Sequence, residues 1–234
     1  MQIFTRNVNQ WAVKPIDQDV ATAFKEAVLK ANLKLVIAHD SYLINPASGD
    51  DTLREKSIQG LVTELERADL LGIPWVVAHP GAAGEQDRTV AINRAADGII
   101  ESLRKTKKLS SGILIETTAG QGTCLGDTFE EIAAMLYRID KIKSLQKRVA
   151  VCLDTCHVFA TGYPLKAAVE EATHESEVTG ICYAESLQYV ISTGASGRMH
   201  VYDEMADPEE MPLVRFTAHA HPQDAPLQAD ECRL

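Results

Sequence analysis

Four residues able to bind a metal ion recur at almost constant intervals in this chain, and each follows a short apolar run. The runs are LKLVIA, WVVA, GILI and VAVCL, and the residues that follow them are His39, His79, Glu116 and Asp154. The intervals between these four residues are 40, 37 and 38 positions. Because imidazole nitrogens and carboxylate oxygens are ligands that zinc and manganese accept, the pattern predicts a metal site assembled from distant parts of the chain.

The apolar runs also predict the scaffold. Runs rich in Val, Ile and Leu, separated by stretches long enough for a helix, are typical of buried parallel strands in βα units. In a βα barrel the carboxyl ends of all strands open on one face, which carries the chemistry. We therefore predict an α/β fold, a partial TIM barrel of parallel strands whose strand-end residues converge on one pocket. His157, three residues after Asp154 in DTCH, is expected to face the same pocket.

Amphipathic patterns between the runs predict the helices. Residues 2–6 are expected to form a first strand, and helices are expected over about 17–31, 52–72, 88–103 and 128–137. The buried face of the first helix is expected to carry Val20, Phe24, Ala27 and Val28.

After about residue 170 the pattern changes to short β-type runs separated by turn residues, which predicts an antiparallel meander. We expect three regions: a partial barrel over 1–170, a segment over 171–221 that resembles a single WD-repeat blade, and a disordered tail over 222–234. An eight-stranded barrel needs roughly 300 residues at about 38 residues per unit, so five predicted strands leave the barrel incomplete.

Composition restricts the class of protein. Hydrophobic residues make up 45% and charged residues 24% of the 234 positions, as in ordinary globular proteins. The sequence has no run of about 18 apolar residues and its start lacks the apolar stretch of a secretory signal. Five cysteines without framework spacing favour reduced thiols, so an intracellular protein, cytoplasmic or nuclear, is expected. A formal charge of −10 opposes broad binding to a polyanion.

Each candidate residue has a structural alternative. A single histidine at a strand end is as readily a hydrogen-bonded core residue, whereas a carboxylate there is costly to bury without a cation. Tyr42 and Leu43, in the loop after His39, can form a wedge that enters a base stack or can anchor the loop in the core. The loop AGQGTCLG can cradle a phosphate or form tight turns. Cys152 and Cys156 are expected to pack beside the strand.

Five motifs carry a resemblance to a known family. FTRNVNQW, HDSYLIN, AHPGA, IETTAGQG and CLDTCHVFATGY, in this order, resemble the endonuclease IV family of apurinic/apyrimidinic endonucleases. The resemblance covers about residues 1–165. It implies a TIM-barrel phosphodiesterase with three zinc ions in the family and fewer expected here, which cleaves the backbone of abasic double-stranded DNA on the 5′ side of the missing base. The ligand types also allow manganese.

The resemblance also implies roles for single residues. His39, His79 and Glu116 would hold one zinc, and Glu116, the catalytic carboxylate, would bridge to a second zinc that Asp154 also binds. His157 would bind a third. Tyr42 and Leu43 match residues that probe the gap at the missing base.

The chain departs from the family pattern in three ways. It begins where the second strand of the family is expected. Asn9 stands where the family has an Arg, the third residue that probes the gap together with those matched by Tyr42 and Leu43. The later zinc-binding motifs cannot be placed, although the downstream segment offers possible substitutes in His200, Asp203, His219 and His221. Three alternatives therefore stay open: an inactive fragment or binding module, a metal-dependent sugar isomerase or epimerase, and a barrel completed by a partner chain.

Overall fold

A parallel sheet of five strands, each followed by a helix, forms the framework of the chain. The computed structural model describes residues 1–162 in full and four later strands by their backbone pairing. The strands of the parallel sheet lie side by side in sequence order: β1 (Gln2–Phe4), β2 (Ile37–His39), β3 (Trp75–Ala78), β4 (Gly112–Glu116) and β5 (Val149–Cys152). This order confirms the predicted α/β fold with parallel strands and is that of a βα barrel wall.

Helices connect the strands close to the predicted positions. They are α1 (Gln18–Lys30), α2 (Asp51–Leu71), α3 (Arg88–Lys105), α4 (Phe129–Asp140) and the short α5 (Thr155–Ala160), with a 3₁₀ turn at Gln146–Arg148. Local chemistry sets their ends. The Asp50 carboxylate accepts from the backbone N–H groups of Thr52 and Leu53 at the start of α2, and Gly72 ends that helix at a φ of 74°.

The predicted buried face of α1 is wrong at two positions. Val20 is 58% exposed and Ala27 is exposed, whereas Ala21 is fully buried. Phe24 and Val28 pack partly against the core, as predicted. The buried stripe therefore follows positions 21, 24 and 28, which are three and four residues apart, and position 20 lies about 100° away around the helix.

Strand β2 is shorter than its apolar run. The run starts at Leu33, but Leu33 is 36% exposed and the strand begins only at Ile37. The neighbouring strands explain the difference, because β1 pairs with β2 only from Gln2↔Ile37 to Phe4↔His39. Residues before Ile37 have no partner strand in this sheet among the described residues, so they continue as loop.

The core lies between the sheet and the helices. Its centre is β3 and β4, whose residues Val76, Val77, Ile113, Leu114 and Ile115 are fully buried. The largest buried side chains on the helices are Ile58, Leu61, Leu65, Ile99, Leu103, Met135 and Ile139. A continuous apolar strand covered by helices is the expected pattern for a parallel sheet. This core fixes the strand ends at which the candidate ligands lie.

Four further strands pair in an antiparallel order: β6 (Val178–Ala184), β7 (Tyr189–Gly194), β8 (Arg198–Asp203) and β9 (Val214–Thr217). The tail expected to be disordered, 222–234, lies outside the described residues. In the part of the chain that the structure describes, no helix is both long and apolar enough to cross a membrane.

Candidate metal centre

The structure brings all five predicted ligands to the carboxyl ends of the strands. His39 and Glu116 are the last residues of β2 and β4, His79 follows β3 directly, and Asp154 lies just beyond β5. The ligand atoms of His39, His79 and Glu116 lie within 4.8 Å of one another. Those of Glu116, Asp154 and His157 form a second group within the same limit. Glu116 belongs to both groups.

Glu116 is the centre of the site and is only 5% exposed. Its Oε2 lies 2.7 Å from His79 Nε2 and 3.2 Å from His39 Nε2. Burial alone would raise the pKa of Glu116, but hydrogen bonds and charges from the two imidazoles lower it to about 2. Burial likewise opposes a charge on His39, yet Glu116 and Asp40 raise the pKa of His39 to about 9. The Glu116 carboxylate is therefore ionised, and it favours a proton on His39 Nε2, which a bound metal ion would replace.

Backbone carbonyls orient two of the imidazoles. His39 Nδ1 lies 2.9 Å from the Asp40 carbonyl oxygen, and His157 Nδ1 lies 2.8 Å from that of Thr117. A carbonyl can only accept, so each Nδ1 carries the proton. Each Nε2 is then left as the atom that can bind a metal ion, which is the usual arrangement behind a metal-binding histidine.

The motif DTCH has a structural as well as a chemical explanation. Asp154 is the N-cap of α5, and its Oδ1 accepts from the backbone N–H of His157 over 3.0 Å. The Asp154 N–H donates to Thr117 Oγ1 over 2.9 Å. Capping thus fixes the distance between Asp154 and His157, and it leaves the second carboxylate oxygen available as a ligand.

Sequence reasoning missed Thr117 and Asp40, which orient the predicted ligands. Each is a polar residue directly after a candidate ligand at a strand end, and each is buried. That position was a signal for Thr117, whose buried Oγ1 accepts from the Asp154 N–H. The carbonyl groups that contact the imidazoles exist at every residue, so the sequence gives no signal for them.

The donor set fits a metal ion. Two imidazole groups and a buried carboxylate form one cluster. The ring centroid of His79 lies 5.3 Å from that of His39 and 5.8 Å from that of His157. The ion-pair partners of Glu116 within the described residues are histidines, with no Lys or Arg among them. A shared carboxylate between two N/O donor groups is the arrangement expected of adjacent metal ions.

The loop after β2 carries an exposed aromatic ring beside the site. Tyr42 is 61% exposed, and its ring centroid lies 5.5 Å from that of His39 and 5.8 Å from that of Phe4. Leu43 is half-buried and Phe4 is 43% exposed. Tyr42 therefore does not serve as a core anchor. Asn9, in the first loop, is exposed as well.

Hydrogen bonds join the loops of the mouth. Asn45 Oδ1 accepts from the N–H groups of Ala82 and Ala47 over 3.0 and 3.1 Å. The Leu125 N–H donates to the Gly81 carbonyl over 2.9 Å. The three loops after β2, β3 and β4 are thereby connected in a row, and this connection holds His79 beside Glu116.

The remaining candidates are less informative. Cys152 is buried with its Sγ 4.0 Å from Glu116 Oε1, Cys156 is exposed, and no disulfide joins cysteines of the described residues. His200 and Asp203 lie in β8, of which only the backbone is described, and His219 and His221 lie outside the described residues.

Imidazoles and carboxylates clustered at the strand ends of a parallel βα sheet are typical of TIM barrels that bind metal ions. A family model for the xylose isomerase-like TIM barrel matches residues 1–231. A probable endonuclease 4 of Chloroflexus aurantiacus is 44% identical over 166 residues, which are 71% of this chain and 57% of that protein. One from Thermoplasma acidophilum is 34% identical over 202 residues, 86% of this chain and 64% of that protein.

Two solved structures are also similar to this chain. The endonuclease IV of Thermus thermophilus superposes with a TM-score of 0.58 at 32% identity, over 69% of this chain and 55% of that one. A D-tagatose 3-epimerase-like protein gives a TM-score of 0.53 at 17% identity, over 75% of this chain and 67% of that one, which shows the shared fold alone. The chain belongs to the endonuclease IV family of xylose isomerase-like TIM barrels.

The chain spans a little over half the length of the first of these relatives. None of the comparisons supports the WD-repeat interpretation of residues 171–221, and the matched family model extends through that segment.

Proposed function

We propose that this chain belongs to a zinc-dependent phosphodiesterase of DNA repair, which cleaves the backbone of double-stranded DNA on the 5′ side of abasic sites. The observation that carries the proposal is the position of Glu116, a buried carboxylate shared by two groups of donor atoms. The identity to probable endonucleases 4 supports the assignment of the substrate. Residues 1–170 would form the region that binds the metal ions.

His39, His79 and Glu116 would hold one ion, and Glu116, Asp154 and His157 a second, because the ligand atoms of these three lie within 4.8 Å of one another. His157 would then share this ion rather than bind a third. Bound zinc would supply a Lewis acid for phosphoryl oxygens and would lower the pKa of a coordinated water molecule. The chain itself orients the donors. The carbonyl groups of Asp40 and Thr117 fix the rings of His39 and His157 with Nε2 toward the site.

Tyr42 and Leu43 would recognise the missing base. The exposed Tyr42 ring is beside His39, so a side chain that enters the duplex at this point places the adjacent phosphate near the ligands. Entry of such a wedge costs unstacking energy, and this cost is smallest where no base occupies the position. Selectivity for abasic DNA then follows from the cost of opening an intact stack.

Two measurements test the proposal together. The first is elemental analysis of zinc and manganese in the folded, purified chain, in which we expect at least one zinc per chain. The second is incubation with an abasic duplex and with the same duplex intact, in which we expect cleavage 5′ to the abasic position and loss of cleavage with a chelator. Glu116→Gln should abolish cleavage, whereas Glu66→Gln, at an exposed position on α2, should not.

Other outcomes assign the chain elsewhere. A folded chain without metal and without cleavage would contradict the proposal and point to a binding module or inactive relative. Metal binding with turnover of a free ketose and no affinity for DNA would indicate a sugar isomerase or epimerase. Cleavage only after addition of a second chain would identify a partner that completes the barrel.

A further inference from the structure

A cavity with basic walls lies at the end of the parallel sheet opposite the candidate metal centre. Its volume is about 430 Å³, and the described residues that line it are Arg104, Lys107, Ser144, Leu145 and Arg148. Arg104 lies in the last turn of α3, and Arg148 directly precedes β5, so the cavity lies beside the amino ends of the strands. Three of these five side chains are cationic and none is anionic, so the cavity attracts an anion.

The cations of this basic cavity have no ion-pair partner among the described residues. Arginines at other positions do pair with carboxylates, as in Arg6–Glu64, Arg88–Glu131, Arg94–Asp51 and Arg138–Asp97. Within the part of the chain that the structure describes, no such pair includes Arg104, Lys107 or Arg148. Acidic residues outnumber basic ones by 33 to 23 in the whole chain, so a group of unpaired cations is not a consequence of composition.

The guanidinium of Arg148 is held in place as a fixed positive charge. Its Nη1 donates to the carbonyl groups of Leu103 and Thr106 over 3.1 and 3.0 Å, and its Nε donates to that of Ser111 over 2.9 Å. These bonds cover carbonyl groups at the end of α3, which would otherwise repel an anion. Burial lowers the pKa of Arg148, although the charge of Asp69 opposes this, so a nearby anion would stabilise the charged guanidinium.

We infer that the basic cavity binds a phosphoryl group, carried by inorganic phosphate or by a small phosphate monoester. Arg104 and Lys107 are exposed and would donate to the phosphoryl oxygens. Arg148 would contribute its charge, because its N–H groups already donate to the chain. Ser144 adds a hydroxyl group to the wall.

The size and position of the cavity restrict the ligand and its role. A volume of about 430 Å³ lies within the range of roughly 300–1,000 Å³ that is usual for pockets that bind small molecules. A duplex would need a basic surface more extended than this cavity, on a chain whose net charge is −10. The amino ends of barrel strands serve stability rather than chemistry, so a ligand here would stabilise the fold.

The test is isothermal titration calorimetry of the full, purified chain with ribose 5-phosphate, inorganic phosphate and ribose. We expect the two phosphorylated probes to bind and ribose not to bind. Equal affinity for both would identify inorganic phosphate as a sufficient ligand, and tighter binding of ribose 5-phosphate would identify a monoester. Arg104→Gln and Lys107→Gln should each weaken this binding by about tenfold, because each removes a charge-assisted hydrogen bond.

A matched control is Lys30→Gln, which removes an exposed basic residue from the last turn of α1 and should leave the affinity unchanged. The substituted side chains are exposed, so the variants should fold, and circular dichroism verifies this. Phosphate binding that persists unchanged in both cavity variants would belong to another site and would overturn the inference, as would the absence of any binding. A loss of affinity for duplex DNA in these variants, without binding of either small probe, would also overturn it and identify a nucleic-acid surface.

Discussion

Replacing Gly81 by alanine tests whether the joined loops of the mouth are structurally necessary. Gly81 has a φ of +101°, and a Cβ built there would lie 2.1 Å from Asn45 Oδ1. That oxygen accepts the N–H groups of Ala82 and Ala47. An alanine side chain must therefore displace Asn45 and break the connection between the loops after β2 and β3.

The expected loss of stability has two parts. Backbone strain of a non-glycine residue at this φ costs about 1–3 kcal/mol. The loss of two hydrogen bonds to Asn45 costs about 1 kcal/mol each. We therefore expect Gly81→Ala to lower the free energy of unfolding by about 3–5 kcal/mol. Gly84 provides a control, because its φ is +63° and a Cβ there would meet no atom within 4 Å. Gly84→Ala should cost only the left-handed strain, about 1 kcal/mol.

Urea unfolding followed by circular dichroism measures both variants against the unsubstituted chain. Asn45→Ala adds a second comparison, since it removes the atom that the new methyl group would strike. In the double variant with Gly81→Ala the two losses should be clearly less than additive, because they share one contact. Equal destabilisation by Gly81→Ala and Gly84→Ala would refute the reasoning, and so would additive losses in the double variant.

Three further predictions concern a helix cap, a surface carboxylate and the metal ion. Asp50→Ala should lower the free energy of unfolding by about 1 kcal/mol, because the Asp50 side chain caps α2. Asp17→Ala should have little effect, because Asp17 caps α1 without a side-chain hydrogen bond. Thermal unfolding of the two variants measures the difference. Burial opposes the charge of Asp69, but hydrogen bonds from Ser110 and Ser111 lower the pKa of its carboxyl group below 3.8. The ionised carboxylate therefore stabilises the fold above about pH 4, and this effect is lost as the pH falls through the pKa of the folded state. In urea unfolding, Asp69→Asn should have a lower free energy of unfolding than the unsubstituted chain at pH 6, and the difference should shrink at pH 3. Zinc at a hundred times its Kd should stabilise the chain by about 2.7 kcal/mol and raise its unfolding temperature. If zinc raised the unfolding temperature of His79→Asn by the same amount, His79 would not be a ligand.

The strands, helices and ligand positions could be predicted because their signals are local and periodic. Each run of Val, Ile and Leu ends at a candidate ligand, and the architecture brings such ends together. Val20 was assigned wrongly, since a helix with few apolar residues allows more than one buried stripe. The Arg6–Glu64 pair could not be foreseen. Its members are 58 residues apart, and Glu64 has the sequence context of a polar residue on a surface helix.

The distribution of charge would make the proposed DNA binding depend on the metal. Basic residues occupy the last turn of α3 at Arg104 and Lys105, where they complement the helix dipole. Arg148, next to the start of β5, donates to the carbonyl groups of Leu103 and Ser111, so this basic cluster lies at the end of the sheet opposite the site. With a net charge of −10, attraction for phosphate at the mouth must come from the imidazoles and bound cations.

Removal of metal should then weaken binding to an abasic duplex by more than tenfold, as measured by fluorescence anisotropy. The unsubstituted chain is used, because Glu116→Gln would alter the site itself. The control is Lys107→Gln, two residues after the end of α3 and beside Arg104 and Arg148, which should leave the affinity almost unchanged. Because only a few positive groups would contact phosphate, the affinity should fall only modestly between 50 and 200 mM salt, by about tenfold for two such contacts. Tight binding without metal, or a loss caused by Lys107→Gln, would show that the duplex uses the opposite face.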